Sequence, residues 1–508
     1  MRKNMKQIST FIISLLMLTA MQSAKAYELN YEVSFEPKTH YINVELTYTT
    51  DSIGTPVQLK MPVWAPGYYI IVDYPKYLTD FCVADESGKA KKWEKNGKNG
   101  WTFIPSSRKT MVKWRIYANE RSVAESRVEE GIGFLTPNGV FMHRAGDINH
   151  DAHIHFTLPD GWKKISTGLA REGNATDCYY AKNFDVLYDS PFLFGNHFTE
   201  QFSHEGHDYE FALETPDGYE ESPFKEDFKK MVSATTKLIG DVPYDNYCLI
   251  HLGKGGGGLE HQNSQACYSE GTFRFADHDA YLQYMSFVTH EYFHLYNVKS
   301  IRPIELGPFD YDREVFTPLL WVSEGFTVYY ETRLMMSAGI CDSDFLLNDL
   351  SGFIETIEGK EGHKHMSLRQ SSYDIWLNFF NRSSNGDDVR ISYYNKGPIL
   401  GLLMDIEIRS KTNCQKSLDD LMRLLYWRYF KQLKRGFTED EFWQSVTEIA
   451  GEELAEIRRY VDTTDEIAYD RMLAKAGLGL NHENNQLYRL SNCDAQAEKV
   501  RTSMGFSK

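Results

Sequence analysis

Leu282-Gln283-Tyr284-Met285-Ser286-Phe287-Val288-Thr289-His290-Glu291-Tyr292-Phe293-His294-Leu295-Tyr296-Asn297 is the stretch on which the reading of the fold turns. Its residues are apolar nearly all round a helical projection, as expected of a helix buried through the centre of a domain. Two histidines four apart on such a helix sit about 40° apart and one turn along, so His290 and His294 can reach one ion. Glu291 projects beside them, placed to take a proton from water activated at that ion. In a chain of this composition a His-Glu-x-x-His pattern arises by chance about 0.04 times. Taken alone, two core histidines bonded to backbone remain an equal alternative. Three other segments shift the balance.

The first is Trp321-Val322-Ser323-Glu324-Gly325-Phe326-Thr327. Zinc in hydrolases takes two histidines and a carboxylate and keeps one position open. Glu324, just inside a new helix and among apolar neighbours, is costly to bury unless paired or metal-bound. By itself it would be a carboxylate facing a helix dipole; beside His290 and His294 it is the expected third ligand. Glu331, two turns on, is either a partner behind the ligands or part of a plain ion pair. The second segment, Gly255-Gly256-Gly257-Gly258-Leu259-Glu260-His261, directly follows a strand. Gly257 and Gly258 would let a peptide backbone lie along an edge strand, and Glu260 would meet a cation such as a free N-terminus. A flexible glycine loop with an exposed Glu is the plainer alternative; a phosphate loop is excluded by the lack of a closing Lys-Ser or Lys-Thr. In the third, Tyr393-Tyr394-Asn395-Lys396-Gly397, a phenol near the metal could stabilise an oxyanion, though an aromatic pair before a turn reads as core.

Outward from these segments the chain changes character. From Tyr27 to about Phe202, period-two alternation (Tyr31 to Phe35, Ile42 to Tyr48) with recurrent Gly and Pro predicts an antiparallel β domain. A helix is expected over 222–239 and a strand at Tyr247 to Leu252. Long helices dominate from Ala280 to about Leu478, one of them opened by a Thr438/Glu441 capping box. The last 30 residues or so are polar and weakly patterned.

The order G-G-L-E-H, H-E-Y-F-H, W-V-S-E-G-F, Y-N-K-G resembles the gluzincin metallopeptidases, and within them the glycyl aminopeptidase family. Met61-Pro62-Val63-Trp64-Ala65-Pro66-Gly67-Tyr68-Tyr69 resembles that family's N-terminal signature, and His294-Leu295-Tyr296-Asn297-Val298-Lys299 continues its metal-helix pattern. The resemblance implies a multidomain chain: an N-terminal antiparallel β domain, then a thermolysin-like α/β zinc-peptidase domain continuing into a helical C-terminal region. It implies one zinc on His290, His294 and Glu324, Glu291 as general base, Glu260 on the substrate's amine and Tyr394 on the transition state. The expected divisions are a signal peptide at 1–26, the β-rich domain at 27–202, the catalytic core at 203–345, its helical part at 346–480 and a short tail at 481–508. The family commonly carries a C-terminal PDZ domain; Tyr469 to Leu480 looks like the lead-in to one, but only 28 residues follow, so this chain is expected to lack it.

Composition bounds the rest. With 508 residues, 42% hydrophobic and 25% charged, the chain is globular rather than disordered, and a net charge of −16 argues against binding nucleic acid or anionic membranes by charge. Arg2, Lys3 and Lys6, the apolar Ile8 to Ala20 and the small-x-small Ala24-Lys25-Ala26 read as a leader cleaved after Ala26, hence an exported, periplasmic or secreted protein. No later stretch could span a bilayer, so the mature chain is expected to be soluble with no stable membrane insertion. Seven scattered cysteines without a C-x-x-C pair are expected to be mostly buried small apolar residues. His150, His153 and His155 read as strand histidines rather than a second metal site. The function expected is a zinc aminopeptidase acting on peptides or proteins, with a zinc endopeptidase and a non-catalytic peptide-binding envelope protein as the alternatives.

Overall fold

The computed structural model describes residues 27–220, 222–269, 277–378 and 384–506; the expected leader, 1–26, lies outside them. The first half is built on a six-stranded sheet. In it β1 (Tyr27–Glu36), β2 (Ala152–Thr157) and β3 (Cys178–Ala181) lie together at one side, and Tyr41–Thr50, Lys109–Tyr117 and Leu78–Asp85 continue on the other. Every neighbouring pair is antiparallel except β1 and β2, which run parallel. Alternation fixes the faces: Leu29, Tyr31 and Val33 of β1 are buried while Glu28 and Glu32 point out. The inner face shares one core with two four-stranded sheets, through aromatic residues such as Trp101, Trp114, Phe141, Phe192 and Phe194.

The second half begins with a five-stranded mixed sheet. Phe198–His204 and His207–Leu213 lie at one side, followed by β4 (Asn246–Leu252), then β6 (Ser264–Tyr268), with β5 (Gly258–Glu260) as the far edge. The centre strand β4 has parallel neighbours on both sides and six buried residues in succession. A strand covered on both faces has no reason to alternate, which is why its sequence is a continuous apolar run. The expected helix at 222–239 is Phe224–Ile239. The metal-motif helix α1 (His278–Phe293), α2 (Phe326–Ser337) and α3 (Tyr393–Lys411) pack together over this sheet in the largest core.

The end of the chain joins the same core. Leu478–Asn481 pairs with Gln486–Arg489, and Val500 of the helix Ala495–Ser503, with Met504 and Phe506 after it, is buried in the core that α1 also joins. The cysteine expectation needs correction: only Cys248 and Cys267 are buried, Cys82 is exposed, and all seven are free thiols. The two buried ones lie on the adjacent inner strands β4 and β6, covered on both faces, whereas the other five sit nearer the surface. Among the described residues no helix is long and apolar enough to cross a membrane.

Candidate active site

Helix α1 ends at the two histidines, and their far ring nitrogens are fixed first. His290 Nδ1 lies 2.6 Å from Glu331 Oε2, and His294 Nδ1 lies 2.8 Å from the carbonyl oxygen of Asn297. Both partners accept, so each Nδ1 carries its proton and each Nε2 presents a lone pair. Those two Nε2 atoms are 2.9 Å apart, and Glu324 Oε2 lies 3.1 Å from one and 3.7 Å from the other. Glu331 is thus the partner behind the ligand rather than a plain ion pair. Three electron-rich atoms, buried and converging on one point, repel one another unless a cation sits between them. The donor set, two imidazoles and a carboxylate, is that of a hydrolytic zinc centre, and the three residues lie close enough together to hold one ion.

Electrostatics describe the same demand. Burial disfavours charge on His290, yet Glu324 and Glu331 hold its pKa well above the ordinary histidine range; Glu324 does likewise, more weakly, for His294. Burial also works against ionised Glu324, but the two histidines keep its carboxyl low. Glu291 differs: burial pushes its carboxyl up to about 7, with His290 and His294 opposing. A carboxylate poised near neutrality is suited to take up and release a proton.

Two helix contacts aim the ligands. Glu324 sits on a π-helical turn, Trp321–Gly325, that runs into α2. Gly325 there meets Gly397 of α3 so closely that a Cβ on either would lie 2.6 Å from the other's Cα. This crossing sets the Glu324 and Tyr394 segments side by side. The second contact is Asn297, whose amide nitrogen donates to the carbonyl oxygens of Val322 and Ser323 at 2.8 and 3.0 Å. Asn297 thereby ties the end of the His294 turn to the turn that carries Glu324.

The centre opens into a cleft of about 570 Å³ lined among others by Gly258, Glu260, Phe287, Glu291 and Tyr394. The ring of Tyr394 has its centroid 6.5 Å from that of His290. Gly258 is needed for a reason the sequence did not suggest: a Cβ there would lie 2.0 Å from Glu291 Oε1. Glu260, at the end of edge strand β5, is 4% exposed, and its Oε1 makes no hydrogen bond among the described residues. Above it lies the β-rich half: Gly67, at φ +88°, stands where a Cβ would be 2.6 and 2.7 Å from the two carboxylate oxygens of Glu260. Lys299 Nζ lies 3.6 Å from Glu260 Oε1 but 2.9 Å from Asp189 of the β-rich half. Asp189 also accepts from the backbone N–H of Gln262 and faces His261 Nδ1, and Lys299 and His261 hold its carboxyl down at about 2 against the effect of burial. The structure thus brings all eight expected site residues into one cleft. Sequence reasoning missed the roles of Gly67, Asp189, Asn297 and Lys299, of which only Asp189 stood outside every quoted motif.

Comparison with known proteins gives a consistent result. Residues 30–196 match the N-terminal domain of M61 peptidases, and residues 283–400 match the family described as M61 glycyl aminopeptidase. No curated protein was found to match. Among solved structures, an aminopeptidase N family protein from Idiomarina loihiensis superposes with a TM-score of 0.82 at 25% identity, over 89% of this chain and 79% of that one. An M1 zinc metallopeptidase from Deinococcus radiodurans gives 0.53 at 13% identity, over 87% and 94%. Yeast LTA4 hydrolase gives 0.51 at 13%, over 90% and 73%. The last two establish likeness of fold alone.

Proposed function

The chain belongs to the M61 glycyl aminopeptidase family, within the gluzincin zinc metallopeptidases, and on that premise we propose that it removes residues singly from the free N-terminus of peptides. That it is a zinc metallopeptidase follows from the family and from the converging donors of His290, His294 and Glu324. Zinc held by His290, His294 and Glu324 would polarise the scissile carbonyl and acidify water. Glu291 accepts the proton of the attacking water and passes it to the leaving amine, a double duty that a carboxyl near 7 can perform. Tyr394 donates its hydroxyl to the developing oxyanion. The peptide lies along β5, whose outer edge is free of a neighbouring strand among the described residues.

The observation that carries the exopeptidase reading is the buried, roofed carboxylate of Glu260. Among the described residues its Oε1 accepts no hydrogen bond, the Lys299 ammonium standing 3.6 Å off, and Gly67 closes the space beyond it, so a chain running through the cleft in both directions would collide with the β-rich half. An ammonium there would gain a charge-assisted hydrogen bond of about 1.5–3 kcal/mol. Glycyl peptides are the first substrates to assay, given the description of the matching family. Free peptides should be cleaved stepwise and N-acetylated ones poorly. Glu260→Ala should weaken cleavage of free peptides about 10- to 100-fold, at 1.4 kcal/mol per tenfold, and leave blocked peptides nearly unchanged. Internal cuts in an acetylated peptide at the rate of its free counterpart would establish an endopeptidase instead.

A further inference from the structure

On the outer face of the six-stranded sheet, register places three side chains in one row. Glu32 of β1 pairs with His155 of β2, and His155 pairs with Cys178 of β3. Directly opposed residues share a face, and here all three point outward, away from the aromatic core. Asp177, which leads into β3, turns its carboxylate between the last two. One of its oxygens is 3.6 Å from His155 Nε2 and the other is 3.7 Å from Cys178 Sγ. His155 Nδ1 meets Glu32 Oε2 at 2.5 Å.

An imidazole tied through Nδ1 to a carboxylate, with its Nε2 facing a thiol and a second carboxylate, has the arrangement of a metal-ligating histidine with its orienting partner. The three donors lie within 4.8 Å of one another. In a tetrahedral zinc site bonds of about 2.0–2.3 Å set ligands roughly 3.3–3.8 Å apart, and the 3.6 Å between His155 Nε2 and one Asp177 oxygen already falls in that range. Nitrogen, sulfur and oxygen together suit a borderline-soft divalent ion and disfavour calcium or magnesium, which take oxygen ligands.

We propose that His155, Asp177 and Cys178 form a second metal site, taking one zinc-class divalent ion, with Glu32 as the residue that orients His155. Binding forms Zn–N, Zn–O and Zn–S bonds and releases to solvent the Cys178 thiol proton and whatever proton His155 Nε2 carries. The site shares no residue with the catalytic cleft. It joins β2 to β3, the outermost strand of the sheet, and borders a groove of about 600 Å³ that Lys163, Lys164 and Arg171 also line. The fourth position is open to water or to an anionic group drawn in by those cations.

Metal counting decides the matter. Protein equilibrated with micromolar zinc and freed of loose metal should hold two zinc per chain. His155→Ala and Cys178→Ser should each hold one and still cleave peptides, and His294→Ala should hold one and not cleave them. Cobalt substitution separates the sites by colour, because the catalytic centre has no thiolate. A near-ultraviolet thiolate-to-cobalt band should appear in the parent protein and in His294→Ala, and vanish in Cys178→Ser. Should either sheet variant fail to fold, Asp177→Asn, outside the strand, gives the same readout. One zinc per chain in the parent protein, or an unchanged count and band in the sheet variants, would overturn the second site and leave the catalytic assignment untouched.

Discussion

Glu291 is held in place by a neighbour with no side chain. A methyl group at position 258 would occupy the space of its carboxylate, so Gly258→Ala should act at a distance in sequence as a Glu291 variant does directly. Glu291→Gln removes the carboxylate proposed as the base and keeps the shape: zinc should stay and turnover fall roughly 100-fold or more. Gly258→Ala should likewise retain zinc and lose most of kcat; normal turnover would mean that the carboxylate can move aside at no cost. Glu331 acts through His290. Glu331→Gln should lower zinc affinity about 10- to 100-fold, measured by competition with a chromogenic chelator, and unchanged affinity would reduce it to an ion pair. At this scale the sequence was most informative where chemistry follows a local spacing. His290, Glu291 and His294 lie within one turn, and Glu324 follows a short way on. Gly258 was read as room for substrate, because its contact with Glu291 is made across the fold and leaves no periodic trace.

Elements position these residues through a few contacts between distant segments. The Glu324 turn is fixed by Asn297 from one side and by the Gly325–Gly397 crossing from the other. Both glycines sit inside motifs that the sequence offered as separate signals, and the structure shows why the motifs belong together. Asp189 does comparable work for β5: it accepts from Gln262 N–H and draws Lys299 away from Glu260. Asp189→Asn should release Lys299 toward Glu260 and neutralise it. KM for free peptides should then rise about tenfold, equivalent to 1.4 kcal/mol, with the rate on N-acetylated peptides unchanged and the fold intact by circular dichroism. An equal loss on both substrates would indicate general disruption instead. Helices and strands were largely legible here: the capping box at Thr438 is formed as read, and β4 is a strand within one residue of its expected start. The π-helical turn was not, because its extra residue per turn follows from packing against α3 rather than from any preference of Trp321-Val322-Ser323 for it.

Across the whole molecule, three buried histidines outside the cleft oppose folding in acid, while the buried carboxyls of Glu291 and Asp349, both raised to about 7, act in the other direction. Burial lowers His143, His197 and His251 to about 4, from 6.5 in an unfolded chain. Between those values the unfolded chain binds protons at these histidines that the folded one excludes, so their contribution to stability is full above about pH 6.5 and is lost as pH falls toward 4. Each histidine accounts for on the order of 3 kcal/mol over that interval. Denaturant titrations at pH 7 and pH 5 should show that His251→Gln loses less stability between the two values than the parent protein does. An equal loss in both proteins would contradict the assignment. The two-part architecture was legible as a change from period-two to helical patterning, but the way the parts lean on one another was not, since Gly67 and Asp189 gain their meaning only from partners far along the chain. That dependence has a consequence for inheritance. The β-rich half is no interchangeable carrier: whichever helical half it is joined to, the residue over the Glu260 carboxylate, proposed above to bind the substrate's amine, must be one without a side chain. Genes shuffled between relatives at the junction, if they break that match, would encode chimeras that fold and load zinc yet cannot tell the end of a peptide from its middle.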